Sequence, residues 1–238
     1  MNTAAIIVVG DEVLSGEVRD ENGPYLIARL TALGTRVVRL SIVPDLLDAI
    51  ASEVRASRAA ADTVLVTGGI GPTHDDLTRQ AVALALGVPL SRHAEAAEKV
   101  ARWYGASAND AERAMADLPT GSLLLRGRKS DTLGFHTAGV YVFPGVPFLL
   151  RDLVEGSSDA FVGPPLHREE VRTDLREGEV APDLARIQSA APDVAIGSYP
   201  IPDDGTWWTK IVVRGVDAAR VTAVAAEVRA AFERLTGA

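Results

Sequence analysis

Val64-Leu-Val-Thr-Gly-Gly-Ile-Gly-Pro-Thr-His-Asp-Asp-Leu-Thr78 opens as a short apolar run and then breaks into three glycines and a pair of acids. The run is β-branched and of strand length, and Gly68, Gly69 and Gly71 allow a tight turn and the close approach of a ligand. Asp75, Asp76 and Thr78 stand where helix caps and first-turn residues belong, ahead of an apolar-periodic segment from Leu77 to Leu86 that Gly87 ends. The stretch therefore reads as strand, loop and helix start, the junction of a βα unit. Backbone amides at a helix N-terminus attract anions, whereas two carboxylates repel them. Both are satisfied together when a divalent cation lies between the acids and a phosphate.

The flanking sequence repeats the pattern. Ala4 to Val9 is a continuous apolar run ended by Gly10, as expected of a strand covered on both faces. Pro24 suits a first helical position, with Leu26, Ile27, Leu30 and Leu33 at helical spacing and Gly34 as the stop. Val37 to Val43 predicts the next strand, and Leu46, Leu47, Ile50 and Val54 an amphipathic helix to about Ala60. Strands alternating with helices imply right-handed crossovers and an α/β fold with a doubly wound, mostly parallel sheet. Ala94 to Asp117 reads as two scaffold helices split at Gly105. Strands follow at Ser122 to Leu125 and Val140 to Phe143, separated by a loop from Arg126 to Gly139. Pro144-Gly-Val-Pro147 leads into a helix over 148–155. Gly156-Ser-Ser and Gly163-Pro-Pro165 mark a linker, so the domains are expected at 1–165 and 166–238. The second is a small α+β unit of strand (169–174), helix (180–190), strand (195–199), strand (207–214) and a last helix with apolar Val221, Ala225, Val228, Phe232 and Leu235. Pro202-Asp-Asp-Gly205 is its turn, with proline presetting the first angle.

Composition narrows the function. The 238 residues are 47% hydrophobic and 24% charged, which is globular, and carry a formal net charge of −8. That balance argues against nucleic acid or anionic membrane as partner, because such surfaces need clustered Lys and Arg. The absence of cysteine excludes disulfides, thiolate metal sites and cysteine nucleophiles. No basic leader precedes the first apolar run and no apolar stretch approaches a membrane span, so a cytoplasmic protein is expected.

In a doubly wound sheet ligands bind beyond the C-terminal strand ends. Four such ends carry signals here: Gly10-Asp-Glu12, Pro44-Asp45, Gly68 to Asp76, and Pro144 to Pro147. Acids at three of them would meet on one rim, the arrangement that metal-assisted phosphoryl or pyrophosphoryl chemistry needs. Taken singly, Asp45, Asp75 and Asp76 read more simply as helix N-caps, and Gly10 and Gly87 as turn and C′ glycines. His74 reads equally as phosphate donor or exposed side chain. Tyr199, Trp207 and Trp208 read as packing rather than a stacking platform. Neither GxGxxG nor GK[ST] occurs, so neither a dinucleotide fold nor a P-loop is supported.

The glycine loop, with Gly10-Asp-Glu-Val-Leu-Ser-Gly16, Pro44-Asp45 and Pro144-Gly-Val-Pro147 in the same order, resembles the molybdopterin-binding (MoaB/Mog-like) domain of the CinA competence/damage-inducible family. The C-terminal part, with Ala195-Ile-Gly-Ser-Tyr-Pro200, is similar to the small KH-like domain that follows it. The resemblance covers nearly the whole chain and stops before that family's amidase domain, so amidase activity is expected to be absent. It implies a metal-dependent ADP-ribose pyrophosphatase, with pterin handling and non-catalytic nucleotide binding as alternatives. On this resemblance Asp45, Asp76 and Glu12 are the catalytic candidates. Asp11, Asp45, Asp75 and Asp76 would hold a divalent ion of the Mg, Mn or Co type. Gly10, Gly68, Gly69, Gly71, Pro72, Thr73, Thr78, Pro144, Gly145 and Pro147 would bind the ligand or its phosphate. Partners implied are a small nucleotide or pterin and a second copy in a homodimer. The sequence departs from the family at Gly127 to Leu133 and at Leu149-Leu150; in and beside the first stretch Arg126, Arg128 and Lys129 read either as cationic phosphate contacts or as a solvated loop.

Overall fold

The computed structural model describes residues 2–236. The chain divides into two compact units, Met1–Gly163 and Pro164–Ala238.

The first unit runs β1 (Thr3–Val9), α1 (Asp11–Leu14), α2 (Asn22–Ala32), β2 (Arg36–Val43), α3 (Leu47–Ala60), β3 (Thr63–Thr67), α4 (Thr78–Leu86), β4 (Leu90–Arg92), α5 (Ala94–Tyr104), α6 (Asp110–Ala114), β5 (Asp117–Pro119), β6 (Leu123–Leu124), β7 (Phe135–Thr137), β8 (Val140–Phe143) and α7 (Pro147–Gly156). Its main sheet has the order β2-β1-β3-β8-β7-β6. The first four strands are parallel, and β7 and β6 add antiparallel pairs. Successive side chains of β1 point to opposite faces. Ala5, Ile7 and Val9 meet Ile50, Val54 and Val82 from α3 and α4. Ala4, Ile6 and Val8 meet Leu26, Leu30, Leu150 and Leu153 from α2 and α7. That two-sided burial is why β1 is apolar throughout.

From β1 the chain moves outward to β2, then returns across β1 to β3. The strand order therefore reverses between β1 and β3, and the crevice of a doubly wound sheet opens at such a reversal.

The second unit is β9 (His167–Thr173), α8 (Glu177–Ala190), β10 (Ala195–Asp203), β11 (Thr206–Gly215) and α9 (Ala218–Thr236). Its antiparallel sheet has the order β10-β11-β9. One sheet face packs on α8 and α9 through Val171, Ile211, Val213, Val180, Ile187, Val224 and Val228.

Asp11 begins a four-residue helix directly after β1. Three expectations are corrected. β7 forms inside the loop expected over 126–139. Pro202 does not shape the hairpin turn: it pairs with Trp207 inside β10, an edge strand that tolerates the missing N–H, and the corner is Asp204-Gly205 at φ 40° and 86°. Tyr199 and Trp207 are not core packing, being 40% and 65% exposed. Among the described residues no helix is long and apolar enough to cross a membrane.

Candidate ligand-binding site

A cavity of about 540 Å³ opens beyond the C-terminal ends of β1, β3 and β8. Glu12 and Asp45 form one side, Gly68 to Gly71 the floor, and Thr73, Asp75 and Asp76 the adjoining rim. Pro144, Gly145 and Val146 face them from the next strand end, and Trp103, Met115, Leu133 and Leu149 supply apolar wall.

The floor needs its glycines for separate reasons. Gly68 holds φ 100°, and a Cβ there would lie 2.3 Å from the carbonyl oxygen of Val9, so this turn excludes every side chain and lets β1 and β3 end side by side. A Cβ on Gly71 would come within 2.6 Å of the Asp76 carboxylate. Asp76 fixes the loop: its Oδ2 accepts from the Thr73 N–H at 2.9 Å and from the Thr73 hydroxyl. The cap reading of Asp75 and Asp76 is therefore corrected, since α4 starts after Leu77 with no side-chain cap.

Thr78 is fully buried, and its hydroxyl donates to the Gly68 carbonyl at 2.8 Å while its N–H donates to Gly69 O at 3.0 Å. It braces the loop from beneath. Among the described residues the N–H groups of Gly69, Ile70 and Gly71 have no hydrogen-bond partner. Three consecutive unengaged amides in a cavity floor are donors available to an anion. Under them lies Arg79, 4% exposed, whose guanidinium donates to Gly71 O at 3.1 Å and to Ala114 O. Burial lowers its pKa, yet arginine stays charged.

Opposite this cation the rim is acidic. Asp45 accepts the Asp11 N–H at 2.7 Å. Burial raises its pKa most; that hydrogen bond pulls it down, and repulsion from Glu12, Asp11 and Asp75 adds to the rise.

Of the residues singled out from sequence, the structure brings Glu12, Asp45, Gly68, Gly69, Gly71, Thr73, Asp75, Asp76, Pro144 and Gly145 to this cavity. Gly10 is buried at the end of β1, where the absence of Cβ leaves room for the Glu12 carboxylate. Asp11 acts through its N–H and its charge, Pro147 starts α7, and Pro72 and Thr78 do not line the cavity. His74 is almost fully exposed. Among the described residues no three His, Asp or Glu side chains converge as a metal cage.

Two residues escaped sequence reading. Arg79, in the first turn of α4, carries no local sign that it is buried. Asn22, buried at a helix start, donates to Gly145 O at 2.7 Å and to the Thr67 hydroxyl at 3.1 Å, and that hydroxyl donates to Pro144 O at 3.0 Å. The network ties the two cavity-forming strand ends together. A buried asparagine bonded to two distant segments has no local signature.

The fold and this crevice define a molybdopterin-binding-type α/β domain: residues 5–161 match the family described as probable molybdopterin binding domain, and residues 165–236 match the FAD synthase middle domain. A protein of Archaeoglobus fulgidus is 34% identical over 199 residues, covering 83% of this chain and 85% of the relative. A CinA-like protein of Citrifermentans bemidjiense is 40% identical over 158 residues, covering 63% of this chain and 38% of the relative, so the match spans well under half of that protein. The crystal structure of CinA from Thermoplasma acidophilum, a protein described as of unknown function, superposes with a TM-score of 0.64 at 27% identity, covering 68% of this chain and all of that one. The chain belongs to the CinA family.

Proposed function

We propose that the crevice binds a small heterocycle carrying a phosphate or diphosphate, a pterin or a nucleotide. The observation that carries this reading is the run of unengaged amides at Gly69, Ile70 and Gly71, set over the buried Arg79 guanidinium in a cavity at the strand-order reversal. The apolar wall of Trp103, Met115 and Leu149 suits a flat ring. The molybdopterin-binding family match supports the same ligand class.

A finer reading is a divalent-ion-dependent hydrolase of a nucleotide diphosphate such as ADP-ribose. What favours it is the repulsion among Glu12, Asp11, Asp45 and Asp75, a charge density that a cation shared with a diphosphate would neutralise. Hard ions of the Mg type use one or two carboxylates together with ligand phosphates, so Asp45 with Glu12 or Asp75 would suffice without a closed cage. Such an ion would offset charge on the bridging diphosphate.

Calorimetric titration with AMP, ADP-ribose and a pterin monophosphate, with and without divalent ions, tests the binding reading. Chromatography of the same mixtures for released AMP tests hydrolysis. Saturable binding without AMP supports binding alone; no binding of any of these ligands removes both readings.

A further inference from the structure

The second unit presents a sheet face that its helices leave open. In the β9-β11-β10 register, Arg168 is directly opposite Arg214 and Arg172 is directly opposite Lys210. Residues paired in this way point to the same face, and like charges so placed repel. Two like-charge pairs on one small sheet, separated on that face by the Glu170–Val212 pair, favour a bound anion. Glu170, between them on β9, pairs with Arg168, and Arg172 lies 3.7 Å from Asp203 and 4.0 Å from Asp174. Among the described residues neither Lys210 nor Arg214 has a carboxylate within 4.0 Å.

These two cations are held in place. The Tyr199 hydroxyl accepts from Arg214 at 2.6 Å, and the Lys210 ammonium stands 5.8 Å from the centre of the same ring. Tyr199 reaches Arg214 by folding back over Gly197, where a Cβ would lie 2.9 Å from its hydroxyl oxygen. Val212, only 2% exposed, forms the floor of the resulting cavity of about 140 Å³, which Arg168, Tyr199, Lys210 and Arg214 enclose. That space is large enough for a phosphate group.

We propose that this face is a second binding site, taking the phosphate group of a small phosphorylated ligand between Arg168, Lys210 and Arg214. Single-stranded nucleic acid is the less favoured occupant. The cationic row is short, Asp203 and Asp204 follow at the hairpin end, and a backbone-tracking groove needs cations along its length. The inference does not rest on the function proposed for the crevice, because every residue it uses lies in the second unit.

The test is an amide and guanidinium NMR titration of the full chain with inorganic phosphate and with AMP, alongside chloride at matched ionic strength and a single-stranded oligonucleotide. Saturable shifts are expected at Arg168, Lys210 and Arg214 with both phosphates and not with chloride. The double variant Lys210→Gln/Arg214→Gln should weaken them at least about tenfold, the loss of charge-assisted hydrogen bonds, with the unit's remaining amide spectrum unchanged. Tyr199→Phe, which keeps the ring and the fold but frees Arg214, should give an intermediate loss. Absent shifts, equal shifts with chloride, or tighter binding of the oligonucleotide than of AMP would each overturn the proposal.

Discussion

Gly68 and Gly16 both hold positive φ, at 100° and 79°, but nothing lies within 4 Å of a Cβ built on Gly16. Gly16→Ala is expected to cost about 1 kcal/mol, the strain of a left-handed non-glycine residue. Gly68→Ala adds a collision with the Val9 carbonyl and should cost about 3 kcal/mol or more. Urea unfolding of the pair checks this, and equal losses would mean that β1 and β3 do not abut as described. Asp45 gives a pH-dependent prediction. Its carboxyl is raised on folding, so the folded state holds more protons, and stability falls as pH rises from the ordinary carboxylate value through the raised one. Asp45→Asn should therefore leave the melting temperature at pH 7 equal to or above that of the wild type. The difference should vanish below about pH 3.9, the ordinary value for Asp. A lower melting temperature at pH 7 would show that the Asp11 N–H bond outweighs burial and repulsion.

At the scale of elements, α8 carries Pro182 in its interior on an exposed face. The ring removes an N–H that would otherwise bond the Gly178 carbonyl. Pro182→Ala should stabilise the second unit by about 1–3 kcal/mol, measured as an upward shift of the urea midpoint; a loss would mean that the helix does not continue through this residue. Long elements were legible because their burial leaves a period in the sequence: the apolar run of β1 and the α9 stripe at Val221, Ala225, Val228 and Phe232 are examples. Leu235, placed on that stripe by spacing, is 46% exposed at the helix end. Short elements left no such mark. β4, β5 and β7 have three residues each, too few for alternation to separate from chance. Pro144 to Pro147 was legible as a strand-to-helix corner because proline and glycine act locally.

At the scale of the molecule, the rim was readable because topology does the assembly: once β1, β2 and β3 are parallel neighbours, Glu12, Asp45 and the Gly68 loop must emerge at one end. What topology could not supply was the chemistry underneath, where Arg79, Asn22 and Thr78 acquire their roles from burial against distant backbone. Their positions make the crevice a joint product of two strand ends, with Gly68 and Gly145 so close that a Cβ on Gly145 would sit 3.4 Å from the Gly68 Cα. Disturbing either end should then weaken ligand binding. Asn22→Leu, which removes the tie to Gly145 and Thr67, is expected to reduce affinity for a phosphorylated ligand although Asn22 does not itself line the cavity; unchanged affinity by calorimetry would contradict this coupling.

The most direct measurement is a crystal structure of the protein with a bound phosphorylated nucleotide or pterin. A phosphate oxygen should stand about 2.7–3.2 Å from the amide nitrogens of Gly69 to Gly71, with the ring against Trp103, Met115 or Leu149 and the acidic rim of Asp45 and Asp75 alongside. A ligand that binds in solution yet is found away from this crevice, or in it with those three amides left unengaged, would contradict the claim that the glycine loop is the phosphate site.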